Sequence, residues 1–200
     1  MKKFYIILII SSLILGSCAS TYRPIYPEKV NYTSNYSKDG IELHYRYDVL
    51  RDRRNTRYSK NEFNSNIKIV SVKITNYTDT TIVIGKDIVL FSKDNQISFI
   101  PPHITYDLLR QPTSPYLWYY LLAPIGVSSN DAIPVGFFAA NILALGNIIK
   151  GVVANRRLEK DLKNFNIINK SIKKGETVFG VIAFSDSNGY VPINFKWVVE

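Results

Sequence analysis

Ile41-Glu42-Leu43-His44-Tyr45-Arg46-Tyr47-Asp48-Val49 alternates apolar or aromatic side chains with polar ones over nine positions. A period of two places Ile41, Leu43, Tyr45, Tyr47 and Val49 on one face of an extended chain, with Glu42, His44, Arg46 and Asp48 on the other. The stretch predicts a half-buried strand over 41–49, and it makes β structure the frame for the rest of the chain. A basic loop is expected next, carrying Arg51, Arg53, Arg54, Arg57 and Lys60. Residues 67–75 form a second predicted strand, with a bulge where the apolar phase slips between Ile69 and Val70. Short strands are expected over 80–84 and 87–92, split by Gly85, and over 96–100, where Pro101-Pro102 ends the β-rich half. Near the C-terminus, 177–184 is apolar enough for a central strand covered on both faces. Ile193, Phe195, Trp197 and Val199 mark a last alternating strand. About seven short strands separated by turns predict a mainly β chain, an antiparallel β-sandwich over 41–200.

An apolar helical insert at about 104–165 interrupts that pattern. Residues 111–130 carry no charge, and 116–127 are rich in Trp, Tyr and Leu. Asp131 reads as a helix cap with Pro134 in the first turn, opening a helix that runs to about Phe165. Its second half is amphipathic, with Leu158, Leu162 and Phe165 on one face and Glu159 four residues before Lys163. Its first half is apolar nearly all round, and Gly136, Ala140 and Ala144 form a small-residue stripe that permits close approach. Three uses remain open: a helical layer packed on the sandwich, a surface for an envelope partner or self-association through 116–153, or a segment entering a bilayer. Trp118, Tyr119, Tyr120, Phe137 and Phe138 are the candidate contact residues there, with Arg51, Arg53 and Arg54 in the basic loop.

The chain opens MKKFYIILIISSLILGSCAS. Lys2 and Lys3, an apolar run over 4–15 and small residues before Cys18 have the layout of a secretory signal. The run is shorter than the roughly 20 residues a spanning helix needs. Leu15-Gly16-Ser17-Cys18 resembles the lipobox of bacterial lipoproteins. That resemblance implies transfer of diacylglycerol to the Cys18 sulfur, cleavage between Ser17 and Cys18, and acylation, often by palmitate, of the new amino terminus. It also implies an outer-membrane anchor facing the periplasm, since no Asp follows the cysteine to retain the protein in the inner membrane. Cys18 is the only cysteine, so no disulfide forms within the chain. Residues 18–40 have neither helical nor strand periodicity and are expected to be a lipidated tether. Farther on, Val70-Ser71-Val72-Lys73-Ile74-Thr75-Asn76 and the run from Lys174-Gly175 to Phe184 resemble small immunoglobulin-like domains of exported bacterial proteins. That resemblance implies a fold and no activity.

The net charge is +9, and loss of Lys2 and Lys3 with the signal leaves +7. Export directs such a charge toward lipid headgroups or acidic glycans rather than nucleic acid. The two histidines, His44 and His103, are not at ligand spacing, so neither a metal nor a cofactor is expected. No serine stands in a nucleophile elbow, and no glycine loop is shaped for phosphate. Asp186-Ser187-Asn188-Gly189 is read as a turn rather than a calcium loop. The expectation is a non-enzymatic binding or scaffolding lipoprotein of the cell envelope. The alternatives are an envelope hydrolase whose site is invisible in sequence and a membrane-inserting protein acting through 116–153.

Overall fold

The computed structural model describes residues 18–93, 95–122, 135–185 and 189–198. The signal segment, Asp131, Pro134, Val199 and most of the expected turn at 186–189 lie outside them. The chain divides into two compact units, one of Met1–Tyr22 with Gln111–Arg156, the other of Arg23–Arg110 with Arg157–Glu200.

The larger unit contains antiparallel sheets in a sandwich-like arrangement. β1 (Ser34–Lys38), β2 (Ile41–Arg46), β3 (Ile67–Asn76) and β8 (Thr177–Ser185) form one sheet in that order. β6 (Asn95–Gln96), β5 (Ile88–Ser92) and β9 (Ile193–Trp197) form another, and β4 (Ile82–Val83) pairs with β7 (Ser171–Ile172). The alternating residues Ile41, Leu43 and Tyr45 of β2 meet Val70, Val72 and Ile74 of β3, together with Leu90, Ile193 and Phe195, in one apolar core. The period-two pattern therefore does what it predicts: it turns one face of β2 inward.

Several expectations need correction. The described structure is 36% helix and 31% strand, so "mainly β" understates the helices. β2 ends at Arg46, and the expected basic loop is instead a one-turn helix α1 (Val49–Asp52) followed by α2 (Thr56–Asn64). Val49, Leu50 and Tyr58 are buried and fix them. The bulge in β3 is absent, because its register with β8 runs unbroken from Ile67↔Ser185 to Thr75↔Thr177. The apparent slip arises because both faces are covered: Val70, Val72 and Ile74 enter the sandwich core, and α1 and α2 lie against the strand. The expected central strand, β8, ends its sheet. Its outer edge is closed by short pieces of chain, where Val181 donates to the Phe165 carbonyl at 2.7 Å and Ile100 donates to the Ala183 carbonyl at 2.8 Å. Such covering disposes of an exposed ladder edge.

Residues 18–40 are also not a plain tether. Ala19, Tyr22 and Ile25 are buried, Pro27–Lys29 is a 3-10 turn, and β1 pairs along the whole of β2 up to Lys38↔Ile41. Asp39 and Gly40, both at positive φ, make the two-residue hairpin loop that joins them. That pair of dihedrals matches the right-handed twist of the flanking strands.

The insert contains three helical pieces. α3 (Pro102–Leu109) belongs to the sandwich unit. The 3-10 helix Ser114–Leu122 and α4 (Val135–Asn164) up to Arg156 belong to the smaller unit. Among the described residues no helix is long and apolar enough to cross a membrane. Ala140 and Ala144 of the small-residue stripe are fully buried, and Ala144 packs with Ala19, Tyr116 and Tyr119.

Candidate functional site

The site lies where β2 hands over to α1. Asp48, at φ 59, turns the chain out of the strand in a left-handed conformation that a non-glycine residue adopts rarely. α2 then runs back so that Tyr58 and Glu62, four residues apart, share its buried face. Asn61 holds the end of α3 to α2 by donating to the Leu109 carbonyl at 2.7 Å and the Arg110 carbonyl at 3.1 Å. Two of the carbonyls a helix end leaves without partners are thereby satisfied.

A pocket of about 360 Å³ opens on this corner, lined by Asp48, Arg51, Ser59, Lys60, Glu62, Phe63, Lys68 and Tyr190. Glu62 forms its deep wall. The residue is 5% exposed, and its carboxylate accepts the Ile69 backbone N–H at 2.7 Å. Burial pushes its pKa up to about 7, helped by the charge of Asp48 and opposed by the Ile69 hydrogen bond and by Lys68. A carboxyl so placed exchanges its proton at neutral pH, unlike one in water.

Tyr190 forms the rim. Its hydroxyl donates to the Asp48 carboxylate at 2.8 and 2.9 Å, and that bond raises the phenol pKa. The ring stands edge-on to Tyr47 with centroids 5.4 Å apart, and the Lys68 ammonium lies 5.0 Å from its centroid. Phe63 and Tyr190 remain 76% and 60% exposed, so two aromatic surfaces flank the opening. Arg51, Lys60 and Lys68 supply three positive charges against the carboxyls of Asp48 and Glu62, so the pocket favours an anion.

No family model matches the chain, and no curated protein and no solved structure matches it. The site is therefore read from its geometry alone.

Of the contact residues named from sequence, Arg51 lines this pocket, and so does Lys60 of the expected basic loop. Arg53 turns away, donating from Nε to the Pro24 carbonyl at 3.0 Å and lying 5.4 Å from the Tyr26 ring centroid. Arg54 is exposed at φ 58 in the turn between the helices. In the smaller unit Trp118 is 71% exposed, Tyr119 is buried, and Tyr120 donates its hydroxyl to Asn141 Oδ1 at 3.3 Å. Phe137 and Phe138 lie on α4, with their side chains outside the described part of the helix. Cys18 is exposed. His44 pairs with Glu42 at 2.7 Å, and His103 is exposed on α3. Among the described residues no cluster of His, Cys, Asp or Glu is placed to hold a metal ion.

Sequence reasoning missed Glu62, Lys68 and Tyr190. The signal for Glu62 was faint: a Tyr and a Glu four residues apart in a polar stretch. Tyr190 follows a turn and has no periodic neighbour, so only the fold brings it to Asp48.

Proposed function

We propose that the mature chain is a lipid-anchored, non-enzymatic binding module of the bacterial cell envelope. Acylated Cys18 holds it to the bilayer, at the outer membrane and facing the periplasm. Its sandwich is a divergent immunoglobulin-like one, and its ligand is an acidic sugar taken at the Glu62 pocket. The observation that carries the ligand is the meeting of two exposed aromatic rings with three cationic side chains around one opening. Flat aromatic surfaces suit the apolar faces of a sugar ring, and Lys or Arg suits its carboxylate or phosphate. The volume falls in the range of small-ligand pockets, about 300–1,000 Å³. Acidic glycans are also what an envelope offers a mature chain of net charge +7, the +9 of the full sequence less Lys2 and Lys3.

Calorimetric titration of the mature lipoprotein in micelles tests this. Uronic-acid oligosaccharides are expected to bind, neutral ones of the same length not, and the double change Lys60→Ala with Lys68→Ala to weaken binding at least about tenfold, one lost charge-assisted contact or more. Equal binding of acidic and neutral sugars, or none of either, would sink the reading.

Glu62 supports a second reading, an envelope hydrolase with this carboxyl as proton donor. A group with its pKa near 7 is poised for general acid catalysis. Turnover of the bound glycan, abolished by Glu62→Gln, would establish it. A sugar recovered intact would leave the binding module.

A further inference from the structure

The chain that follows Cys18 is held from its first residue. Ala19, the residue after Cys18, donates its backbone N–H to Asn147 Oδ1 of α4 at 2.7 Å. Ser20 is held in both directions by Gln111: its N–H donates to Oε1 at 3.1 Å, and Nε2 donates to its carbonyl at 2.8 Å. Gln111 is held in the same way by Asn155, its N–H donating to Oδ1 at 3.0 Å and Nδ2 donating to its carbonyl at 2.9 Å. Two buried side-chain amides, Asn147 and Gln111, thus pair the emerging chain as a strand would, and a third, Asn155, holds Gln111. Ala19 is 1% exposed, and its side chain lies in a cluster with Ala144, Tyr116 and Tyr119. Where Gly151 lies on α4, a Cβ would come within 2.9 Å of Thr113 and 3.9 Å of Ala19, so this face of the helix is closely filled.

The opposite face is apolar and, among the described residues, exposed. Ile142, Leu145, Ile149 and Val153 recur at helical spacing and are 72%, 48%, 62% and 42% exposed. Steps of three, four and four residues keep them in one stripe, on the side away from Ala140, Ala144, Asn147 and Ala154. Lys150 is exposed beside it, and Arg156, seven residues after Ile149, is exposed at its C-terminal end.

We propose that α4 lies flat in the membrane interface, with this stripe sunk among the lipid tails of the leaflet that carries the Cys18 anchor. The inference rests on the lipoprotein reading of Cys18. A diacylglycerol thioether fixes the Cys18 backbone at headgroup depth, and one residue spans only about 3.8 Å between Cα atoms. The clamp residue Asn147 is therefore held at the bilayer surface. A helix with its side chains is about 10–12 Å thick, so its far face reaches the tail region when the near face sits among headgroups. An apolar stripe flanked by Lys and Arg is the pattern of a helix lying in that interface, with the cations meeting anionic headgroups.

The test uses the mature lipidated protein in phosphatidylethanolamine–phosphatidylglycerol vesicles. Cys18 sulfur is taken by lipid, so Ile149→Cys adds a single labelling site for an environment-sensitive nitrobenzoxadiazole dye. Expected is blue-shifted emission that tail-spin-labelled lipid quenches and aqueous iodide does not. Emission quenched by iodide would overturn the proposal. So would a label shielded from both quenchers, which assigns the stripe to a protein contact such as a second copy. Matching melts of labelled and unlabelled protein establish that the variant folds. The intact mass of the same sample separates the two readings. Lipid on Cys18 with a water-exposed label removes only the flat helix, whereas a Cys18 without lipid removes the anchor and the argument built on it.

Discussion

The two units solve one problem by opposite means. In the sandwich, chain segments far apart in sequence are joined by apolar side chains: β2, β3, β8, β5 and β9 all feed one core. In the smaller unit, the segment after Cys18 is joined to α4 mainly by amides, Asn147, Gln111 and Asn155, standing in for a β ladder. Apolar packing tolerates imprecise angles but no extra volume. An amide clamp tolerates spare volume but no loss of a partner. Substitutions should therefore hurt the two units for different reasons.

The largest effect is expected from added volume in the sandwich. A Cβ on Gly180 would lie 1.8 Å from Ile167 and 2.5 Å from the Phe165 carbonyl. The chain that closes the β8 edge would have to move. Gly180→Ala is expected to cost more than about 3 kcal/mol, beyond ordinary overpacking. A denaturant midpoint close to that of the parent would show that this edge is loosely held.

Next comes the polar face buried beneath the site. Glu62 has its folded pKa raised from 4.5 to about 7, so the folded state binds its proton more tightly than the unfolded chain. That stabilisation is complete below the unfolded value and is lost as pH rises through about 7. Its size is on the order of 3 kcal/mol, at about 1.4 kcal/mol for each pH unit that separates the folded and unfolded pKa values. Melts from pH 4.5 to pH 8.5 should show the decline, and Glu62→Gln should flatten it. An unchanged slope in that variant would assign the pH dependence elsewhere.

The smallest effect is expected in the clamp. Asn155→Ala adds no volume and leaves the Gln111 N–H and carbonyl without those partners, for a loss of about 2 kcal/mol. Hydrogen exchange should quicken at Gln111 and Ser20 while β3 amides keep their protection. Equal quickening throughout the chain would mean that the two units unfold together.

Legibility followed the same division. β2 and β9 were readable because alternation survives wherever a strand buries one face, and β8 because its run is apolar throughout. β3 was readable only as a strand: covering on both faces removed the alternation, and the missing phase looked like a bulge. α2 escaped because its buried face consists of Tyr58 and Glu62 rather than an apolar stripe, leaving Arg51 to Lys60 looking like a charged loop. β1 was within reach, since Asp39-Gly40 is the two-residue loop that announces a hairpin. The pocket was largely closed to sequence reading. Arg51 stood out for its charge, but Lys68 and Tyr190 acquire their meaning only from their distance to Asp48 and Glu62.

What the sequence determined by itself is local: the period-two strands, the hairpin and turn glycines, the apolar helix and the small residues that line one side of it. These depend on the side chain and its near neighbours, where backbone sterics and burial of one face decide. The tertiary structure alone decided which polar groups went inside and which apolar ones stayed out. Glu62, Asn147 and Asn155 are buried because each meets a backbone partner brought from elsewhere in the chain, whereas Ile142 and Ile149 are exposed because the opposite side of α4 is already filled. Desolvating a polar group is offset only by a particular partner at hydrogen-bond distance, and no pattern within a single segment encodes where that partner will stand.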